Sequence, residues 1–508
     1  MRIDFQATVS PGRTRLALMS WRGRAVDRDL YLTAKKIYHL RLEVVLSKTL
    51  FDKLWHAHRI CAVEDGADLL AIDRLLLHER TGGVALKSLA ENGYTVRDPS
   101  RVYAIMDHIV SFRSGRKRNE ARSPGGEAFI TETREMAIDA GIHLIDTDHD
   151  EQGIVHVVAP ERGIVQPGFS IVCPDSHTCT LGAFGALAWG IGSSEAEHVM
   201  ATGVLRATKP PQMRITIHGP LAEGCSAKDV ALHLIAEHGA AGGKRCAIEF
   251  CGSAVNDLSI EGRLTLCNMA VEFAAYSAVI APDEKVFSHM RQHGLEHVDH
   301  PLAQAHWHAL RTEQDASFDH EIEIHAQEIT PQISWGTSPE QSIPLAGTVP
   351  QDGASQALQY MGLKRGQPLR GLRVDGAFIG SCTNGRLSDL EQAASILKGR
   401  KVPAHVRAVC VPGSKSVRRQ AEAMGLDLVF KQAGFEWGEP GCAMCFYAGG
   451  ETFPPQARVV SSTNRNFEGR QGPGVRTHIT SPAVVAACAV AGEICAPVDL
   501  RMPEKVSA

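Results

Sequence analysis

The stretch V-D-G-A-F-I-G-S-C-T-N-G-R-L, residues 374–387, decides the fold of this chain. Its apolar first half is typical of a buried parallel strand, and a helix is expected to begin at about Leu387. Between the two, Gly380 and Ser381 form a tight turn that leads into Cys382. Because ligands in open α/β sheets bind at the carboxyl ends of the strands, the stretch predicts an α/β fold with a functional site at Cys382.

Two further cysteines share the surroundings of Cys382. The segment G-C-A-M-C contains Cys442 and Cys445, about sixty residues further along the chain. Three thiolates can hold three corners of a 4Fe-4S cube and leave the fourth iron open to substrate and water. An open metal site acts as a Lewis acid, which indicates dehydration chemistry and not electron transfer.

A C-x-x-C pair by itself is also typical of a zinc clip, a redox pair or two buried thiols. Small polar residues surround Cys382, and Gly441 precedes Cys442. Hydrogen bonds and close backbone approach tune iron-sulfur clusters, so these neighbours favour a cluster.

The composition describes a globular protein of several domains. A chain of 508 residues is too long for one hydrophobic core. Its 44% hydrophobic content, its net charge of -4 and the lack of a long uncharged apolar run predict a soluble cytoplasmic protein without membrane spans. The near-neutral charge predicts no nucleic-acid binding. The 13 cysteines lie mostly in apolar segments and are expected to be reduced, as in a cytosol.

Changes in pattern along the chain predict three domains. Strand-like runs such as V-H-V-V alternate with helical stretches in residues 45–209, Pro210 and Pro211 open a second α/β unit over residues 210–335, and residues 336–508 carry the three cysteines. Residues 1–44 hold nine Lys or Arg against four Asp or Glu. This extension is expected to be translation upstream of a misassigned start or a disordered tail, with a transit peptide as the alternative.

Acidic residues and imidazoles meet at the ends of two predicted strands. Asp107 and His108 follow V-Y-A-I-M, and Asp175-Ser176-His177 follows F-S-I-V-C. A carboxylate beside an imidazole fixes its tautomer and raises its basicity. Each pair alone is more often a turn that an Asp caps.

Two further histidines and two arginines are candidates. His156 lies in G-I-V-H-V, which is interpreted as a strand. A buried core histidine is the alternative for His156, and His78 is ambiguous in the same way. Arg465 and Arg470 lie in S-S-T-N-R-N-F-E-G-R. Guanidinium groups bind carboxylates through two parallel hydrogen bonds, although a solvated basic loop would have the same composition.

Together these motifs resemble the aconitase superfamily, and within it the large subunit of 3-isopropylmalate dehydratase. The segments D-S-H-T, G-S-C-T-N and N-R-N-F-x-G-R occur in the family's order, and the likeness runs from about Ser47 to Ala496. The resemblance implies three α/β/α domains around one shared 4Fe-4S cluster that Cys382, Cys442 and Cys445 hold. It implies a hydro-lyase.

The resemblance also implies a role for each of the other candidates. The acid, base and hydroxyl-handling network would consist of Asp107, His108, His156, Asp175, His177 and Glu272. Substrate would contact His78, Ser176, Arg465 and Arg470. The amides of Asn268 and Asn464 would donate hydrogen bonds at the cluster.

In single-chain relatives a fourth, swivelling domain supplies a serine base and another arginine, and this chain is expected to lack it. The resemblance therefore implies a separate small subunit. The function implied first is the isomerisation of 2-isopropylmalate to 3-isopropylmalate in leucine biosynthesis. The alternatives are a paralogue for another hydroxy diacid, such as 2-methylmalate, homocitrate or a secondary-metabolism analogue, and, more remotely, an RNA-binding iron sensor.

The chain departs from the isopropylmalate pattern beside the expected site. Leu181 replaces a histidine, Ile109 replaces an asparagine, and Pro174 stands where a glycine is common. Residues 446–450 replace an amide-rich stretch. These changes are interpreted as a loss of polar groups from the site, which is the reason to consider a paralogue with a different substrate.

Substitution of any one of Cys382, Cys442 and Cys445 by Ser is expected to abolish the cluster's visible absorbance and all dehydratase activity, because three ligands leave no redundancy. Cys179→Ser and Cys488→Ser are the controls and should keep the cluster, since both are interpreted as packing residues. Brown colour and turnover in any of the three variants would contradict the ligand assignment.

Overall fold

The computed structural model describes residues 47–447 and 450–500. The first strands and helices build a five-stranded sheet in the order β5-β4-β3-β6-β7, parallel throughout, and an antiparallel sheet β1-β2-β8. The strands are β1 Arg59–Ala62, β2 Asp68–Ala71, β3 Arg74–His78, β4 Val102–Ile105, β5 His143–Ile145, β6 Ser170–Cys173, β7 Leu187–Gly190 and β8 Val204–Ala207. The helices are α1 Leu50–His58, α2 Gly82–Glu91, α3 Gly126–Asp139, α4 Val155–Glu161 and α5 Ser193–Thr202.

The next part of the chain forms a four-stranded parallel sheet in the order β11-β10-β9-β12. Its strands are β9 Gln212–His218, β10 Ala247–Cys251, β11 Ser277–Val279 and β12 His320–His325. Its helices are α6 Ala227–His238, α7 Ser253–Asp257, α8 Ile260–Met269, α9 Glu284–Gln292 and α10 Pro301–Ala309.

The last part forms a second five-stranded parallel sheet, β17-β16-β15-β18-β19, and an antiparallel pair, β13-β14. The strands are β13 Gln332–Ser334, β14 Ser342–Pro344, β15 Gly376–Ile379, β16 Arg407–Cys410, β17 Phe435–Trp437, β18 Arg458–Ser461 and β19 Arg476–Ile479. The helices are α11 Ser355–Met361, α12 Leu387–Leu397, α13 Lys415–Ala423, α14 Leu426–Ala433 and α15 Pro482–Ala491.

Short 3-10 helices connect many of these elements. They span Glu64–Gly66, Pro99–Arg101, Ser176–Phe184, Ala270–Phe273, Glu296–Asp299, Ala326–Glu328, Ala443–Cys445 and Pro497–Asp499. Among the described residues, no helix is both long enough and apolar enough to cross a membrane.

The predicted α/β class is confirmed by these parallel sheets with intervening helices. The opening stretch forms β15, and α12 begins at Leu387 as predicted. Its first turn is held by Asp389, whose carboxylate accepts a hydrogen bond from the Arg386 amide at 3.0 Å. The helix expected near Ser47 begins instead at Leu50, because the side chain of Thr49 caps it.

The strand predicted around His156 is wrong, since this segment is helix α4. Val155, His156, Val157 and Val158 are all buried, and a short apolar run cannot be assigned to strand or helix by periodicity alone. A tertiary contact anchors the helical form. The amide of Val155, in the first turn, donates to the carboxylate of Asp107 at 2.8 Å.

Two large hydrophobic clusters fill the interior. One combines side chains from the first two parts of the chain, such as Leu76, Phe184 and Phe250, and the other lies under the last parallel sheet, with Ile379, Phe430 and Val485. The described residues from Lys48 onward form one compact unit. The domain boundaries at 209/210 and 335/336 therefore stay predictions. The extension 1–44 lies outside the described residues.

Gly182→Ala is expected to destabilise the fold. The new Cβ would lie 1.7 Å from the backbone oxygen of Ala278, and a backbone atom cannot rotate away. The cost should be about 1–3 kcal/mol of unfolding free energy, measured by denaturant titration. Gly192→Ala is the control, because its Cβ would meet just a flexible carboxylate oxygen of Glu195, at 3.6 Å. Equal midpoints for both variants would contradict the packing argument.

Candidate active site

Candidate residues from two of the parallel sheets converge because parallel strands end at one edge. His78 is the last residue of β3, Asp107 follows β4, and Asp175 follows β6 in the first of these sheets. Cys382 follows β15 and Asn464 follows β18 in the other. The site is thus built from the carboxyl ends of strands, as the opening stretch predicted.

A cavity of about 290 Å³ lies at this convergence. Its lining includes the predicted residues His78, His108, His156, Asp175, Ser176, His177, Cys382, Cys442, Cys445, Arg465 and Arg470. The other predicted residues contact these from behind: Asp107, Glu272, Asn268 and Asn464. Every sequence-predicted site residue is therefore brought to one place.

Sequence reasoning missed Arg80, Thr81 and Ile154, which also line the cavity. A signal for Arg80 and Thr81 was present, since they directly follow His78 at a strand end. Of the departures from the isopropylmalate pattern, Pro174 and Phe446 line the cavity. Leu181 is instead a fully buried part of the hydrophobic core.

The three cysteines are suited to a metal cluster. Each is buried and each lines the cavity. Burial raises the pKa of Cys382 to about 11 and that of Cys442 well above its ordinary value. Thiols in such surroundings stay protonated unless a cation binds, and metal binding would release their protons.

Donors already point at the sulfur atoms. The side-chain amides of Asn268 and Asn464 lie 3.2 Å and 3.5 Å from the Sγ of Cys382, and Nη2 of Arg470 lies 3.5 Å from the Sγ of Cys445. Hydrogen bonds and positive charge at sulfur stabilise thiolate ligands. The residues present therefore fit an iron-sulfur cluster held by three cysteines.

An acid and base network adjoins the cysteines. Nδ1 of His108 is hydrogen-bonded to the carboxylate of Asp107, and its Nε2 lies 3.1 Å from Oδ2 of Asp175. The other oxygen of Asp175 lies 3.0 Å from Nε2 of His156 and accepts the amide of His177 at 2.7 Å. Asp175 thus links three histidine residues at one carboxylate.

These contacts set the charges of His108 and Asp175. Burial by itself would lower the pKa of His108, but the negative charges of Asp107 and Cys442 and the hydrogen bonds to Asp107 and Asp175 together outweigh it and hold the pKa well above the usual value. Burial would likewise raise the pKa of Asp175, yet the hydrogen bonds from His108, His156 and His177 hold it well below the usual value. The site therefore contains a protonated imidazole between two carboxylates.

His78 has the opposite character. It stacks on His108 with ring centroids 3.8 Å apart, and burial together with that neighbouring charge lowers its pKa to about 4. Its Nε2 lies 3.2 Å from the carbonyl of Pro174, and its buried Nδ1 has no hydrogen-bond partner among the described residues. His78 is a neutral imidazole.

Glu79, which sequence reasoning did not single out, positions the Asp107 turn from below. Its fully buried carboxylate accepts the amides of Asp107, at 2.9 Å, and Ile109. Burial and the charge of Asp107 raise the pKa of Glu79.

A second network places one arginine. Nε2 of His177 lies 3.0 Å from Oε1 of Glu272, and Nε of Arg465 lies 2.6 Å from the same oxygen. Burial opposes ionisation of Glu272, but His177 and Arg465 lower its pKa. The positive charge of Arg465 is therefore balanced by the carboxylate of Glu272.

The arrangement has the parts needed to remove a hydroxyl group from an anionic substrate. It combines a cluster of thiols, a stored proton on His108 and guanidinium groups that can bind carboxylates.

Comparison with known proteins gives two findings. The family model described as aconitase family (aconitate hydratase) matches residues 52–492. The crystal structure of Thermococcus kodakaraensis aconitase X in its holo form is similar at 12% sequence identity and a TM-score of 0.43, over 89% of this chain and 97% of that chain.

Proposed function

This chain belongs to the aconitase family, whose members are dehydratase-type enzymes that typically bind an iron-sulfur cluster, and we propose that it is the large catalytic subunit of a 4Fe-4S hydro-lyase. The proposed reaction converts 2-isopropylmalate to 3-isopropylmalate by dehydration and rehydration, in leucine biosynthesis. The observation that carries the proposal is the convergence of Cys382, Cys442 and Cys445 with the His108 network on one cavity.

Cys382, Cys442 and Cys445 would hold the cluster, which when bound supplies a Lewis acid for a substrate hydroxyl group. Asn268 and Asn464 would hold the sulfur of Cys382 in place through their amide hydrogens. Thr383 fixes the orientation of Asn268, since its hydroxyl donates to the Asn268 side-chain oxygen at 2.9 Å.

His108 is the proposed proton donor to the departing hydroxyl group. Asp107 and Asp175 each hold one ring nitrogen of His108, which keeps the imidazole protonated and fixes its plane. A leaving hydroxide needs a proton, and a donor of fixed orientation lowers the barrier by general acid catalysis. In the rehydration direction the same imidazole would take that proton back.

Arg470 is proposed to bind a substrate carboxylate. It lines the cavity, and its buried Nε has no hydrogen-bond partner among the described residues. Removal of a proton beside a carboxylate places negative charge on that group, which an oriented guanidinium stabilises. Arg465 would assist while it remains paired with Glu272.

A small subunit that carries a swivelling domain is proposed to complete the site with a serine base. The resemblance to the isopropylmalate enzymes supports this partner.

A paralogous reaction on another hydroxy diacid is the second candidate. It is favoured by Phe446, which lines the cavity where the isopropylmalate pattern has an amide-rich stretch. An apolar ring at that position changes what the cavity accepts without changing the cysteines or the His108 network. The substrates proposed under this alternative are 2-methylmalate, homocitrate and related hydroxy diacids.

The function is tested by anaerobic reconstitution of the chain with a small subunit, followed by a screen of hydroxy diacids. The absorbance of the unsaturated product reports dehydration. Turnover of 2-isopropylmalate supports the first candidate, and turnover of another hydroxy diacid supports the second. No dehydration of any diacid by the cluster-loaded complex would refute the hydro-lyase, and turnover by the chain alone would refute the need for a partner.

Arg470→Lys is expected to lower kcat/KM by the equivalent of about 2–4 kcal/mol, because Lys keeps the charge and loses the two-point geometry. Arg476→Lys is the matched control: its Nε donates to the carbonyl of Tyr360 at 3.0 Å, and it does not line the cavity. Steady-state kinetics of the complex measure both. If the two variants stay within a few-fold of the parent, Arg470 does not bind the substrate.

A further inference from the structure

Arg80 is a cationic side chain on the cavity wall without an assigned role. It follows His78 and Glu79 at the end of β3, and its side chain is exposed. Within residues 47–447 and 450–500, Arg80 contacts an aromatic ring: its guanidinium carbon lies 5.1 Å from the ring centroid of Phe446. An arginine held in a cavity wall and not paired with a carboxylate can bind an anion.

The ring of Phe446 also holds a second arginine. The guanidinium carbon of Arg470 lies 5.3 Å from the same centroid and 5.3 Å from that of Phe467. Cation–π contacts of this kind leave N–H groups at the guanidinium edge available to donate. In Arg470 the Nη2 group already lies 3.5 Å from the Sγ of Cys445, whereas Nε has no hydrogen-bond partner among the described residues. Phe446, itself buried, therefore orients Arg80 and Arg470 beside one cavity.

Neither arginine is paired with a carboxylate of the described residues, although Nη2 of Arg470 lies 3.5 Å from the Sγ of Cys445. Asp175 is the one carboxylate among the lining residues, and hydrogen bonds to histidines engage both its oxygens. Arg465 is paired with Glu272. The remaining lining arginines, Arg80 and Arg470, face a cavity that supplies no carboxylate for either.

We propose that Arg80 and Arg470 bind two carboxylates of one substrate molecule, with the ring of Phe446 against the carbon atoms between them. The inference rests on the proposed function and deepens it. Arg80 becomes a specificity-determining residue that selects diacids over monoacids, and the second carboxylate is held by Arg80 in place of Arg465. Phe446, which departs from the isopropylmalate pattern, then positions the guanidinium groups of Arg80 and Arg470.

The test measures binding of succinate and butyrate to the cluster-loaded chain by calorimetry. The two probes differ in one carboxylate and have no hydroxyl group, so neither can be dehydrated. Arg80→Leu should raise the Kd of succinate about tenfold or more and leave that of butyrate within about twofold, the scale of one lost charge-assisted contact. Arg80→Lys should recover part of the loss.

Arg97→Leu is the matched control, because Arg97 is also exposed and lies outside the cavity lining. It removes the same net charge and should leave both Kd values unchanged. Equal effects of Arg80→Leu on succinate and butyrate, equal effects of the Arg80 and Arg97 variants, or no succinate binding to the parent chain would each overturn the proposal.

These results are independent of turnover. Selective loss of succinate binding in Arg80→Leu would support the anion site even if the complex dehydrates no hydroxy diacid. Dehydration with unchanged diacid binding in Arg80→Leu would leave the proposed function intact and refute the role of Arg80.

Discussion

The buried carboxylate of Asp107 is the interaction on which the rest of the site depends. One oxygen holds Nδ1 of His108, and the other accepts the first-turn amide of α4 at 2.8 Å, which places His156. The backbone oxygen of Asp107 accepts the amide of Cys442 at 2.8 Å. A buried charge is tolerated when its hydrogen bonds are satisfied, and here they join the His108 network to Cys442, a proposed cluster ligand.

A second constraint comes from the helices of the middle sheet. Lys228, fully buried in α6, donates to the carbonyls of Ser462 and Thr463 at 2.9 and 2.6 Å and lies 3.3 Å from the side-chain oxygen of Asn384. Burial lowers the pKa of Lys228 to about 7, a cost that these three acceptors partly offset. The two turns that carry Cys382 and Asn464 are thereby tied to α6, so the middle part of the chain also helps to position the proposed cluster site.

Local patterns determined several features in advance. The apolar run ending at Gly380 predicted strand β15, the start of α12 at Leu387 and the site at the strand's carboxyl end, because burial and helix signals act over a few residues. Motif order also identified the residues that the structure brings to one cavity. The strand predicted for the segment around His156 was wrong. A buried helix and a buried strand share one apolar pattern, and a distant carboxylate decides between them.

The sequence by itself therefore determined the fold class, and it pointed to the three thiols and the proposed acid and base residues that the structure brings together. The tertiary structure decided the charge states and pairings. Arg465 is bound by Glu272, and Arg80 and Arg470 share the ring of Phe446. Such contacts join residues far apart in the chain, and their energies depend on burial and distance, which no local pattern encodes.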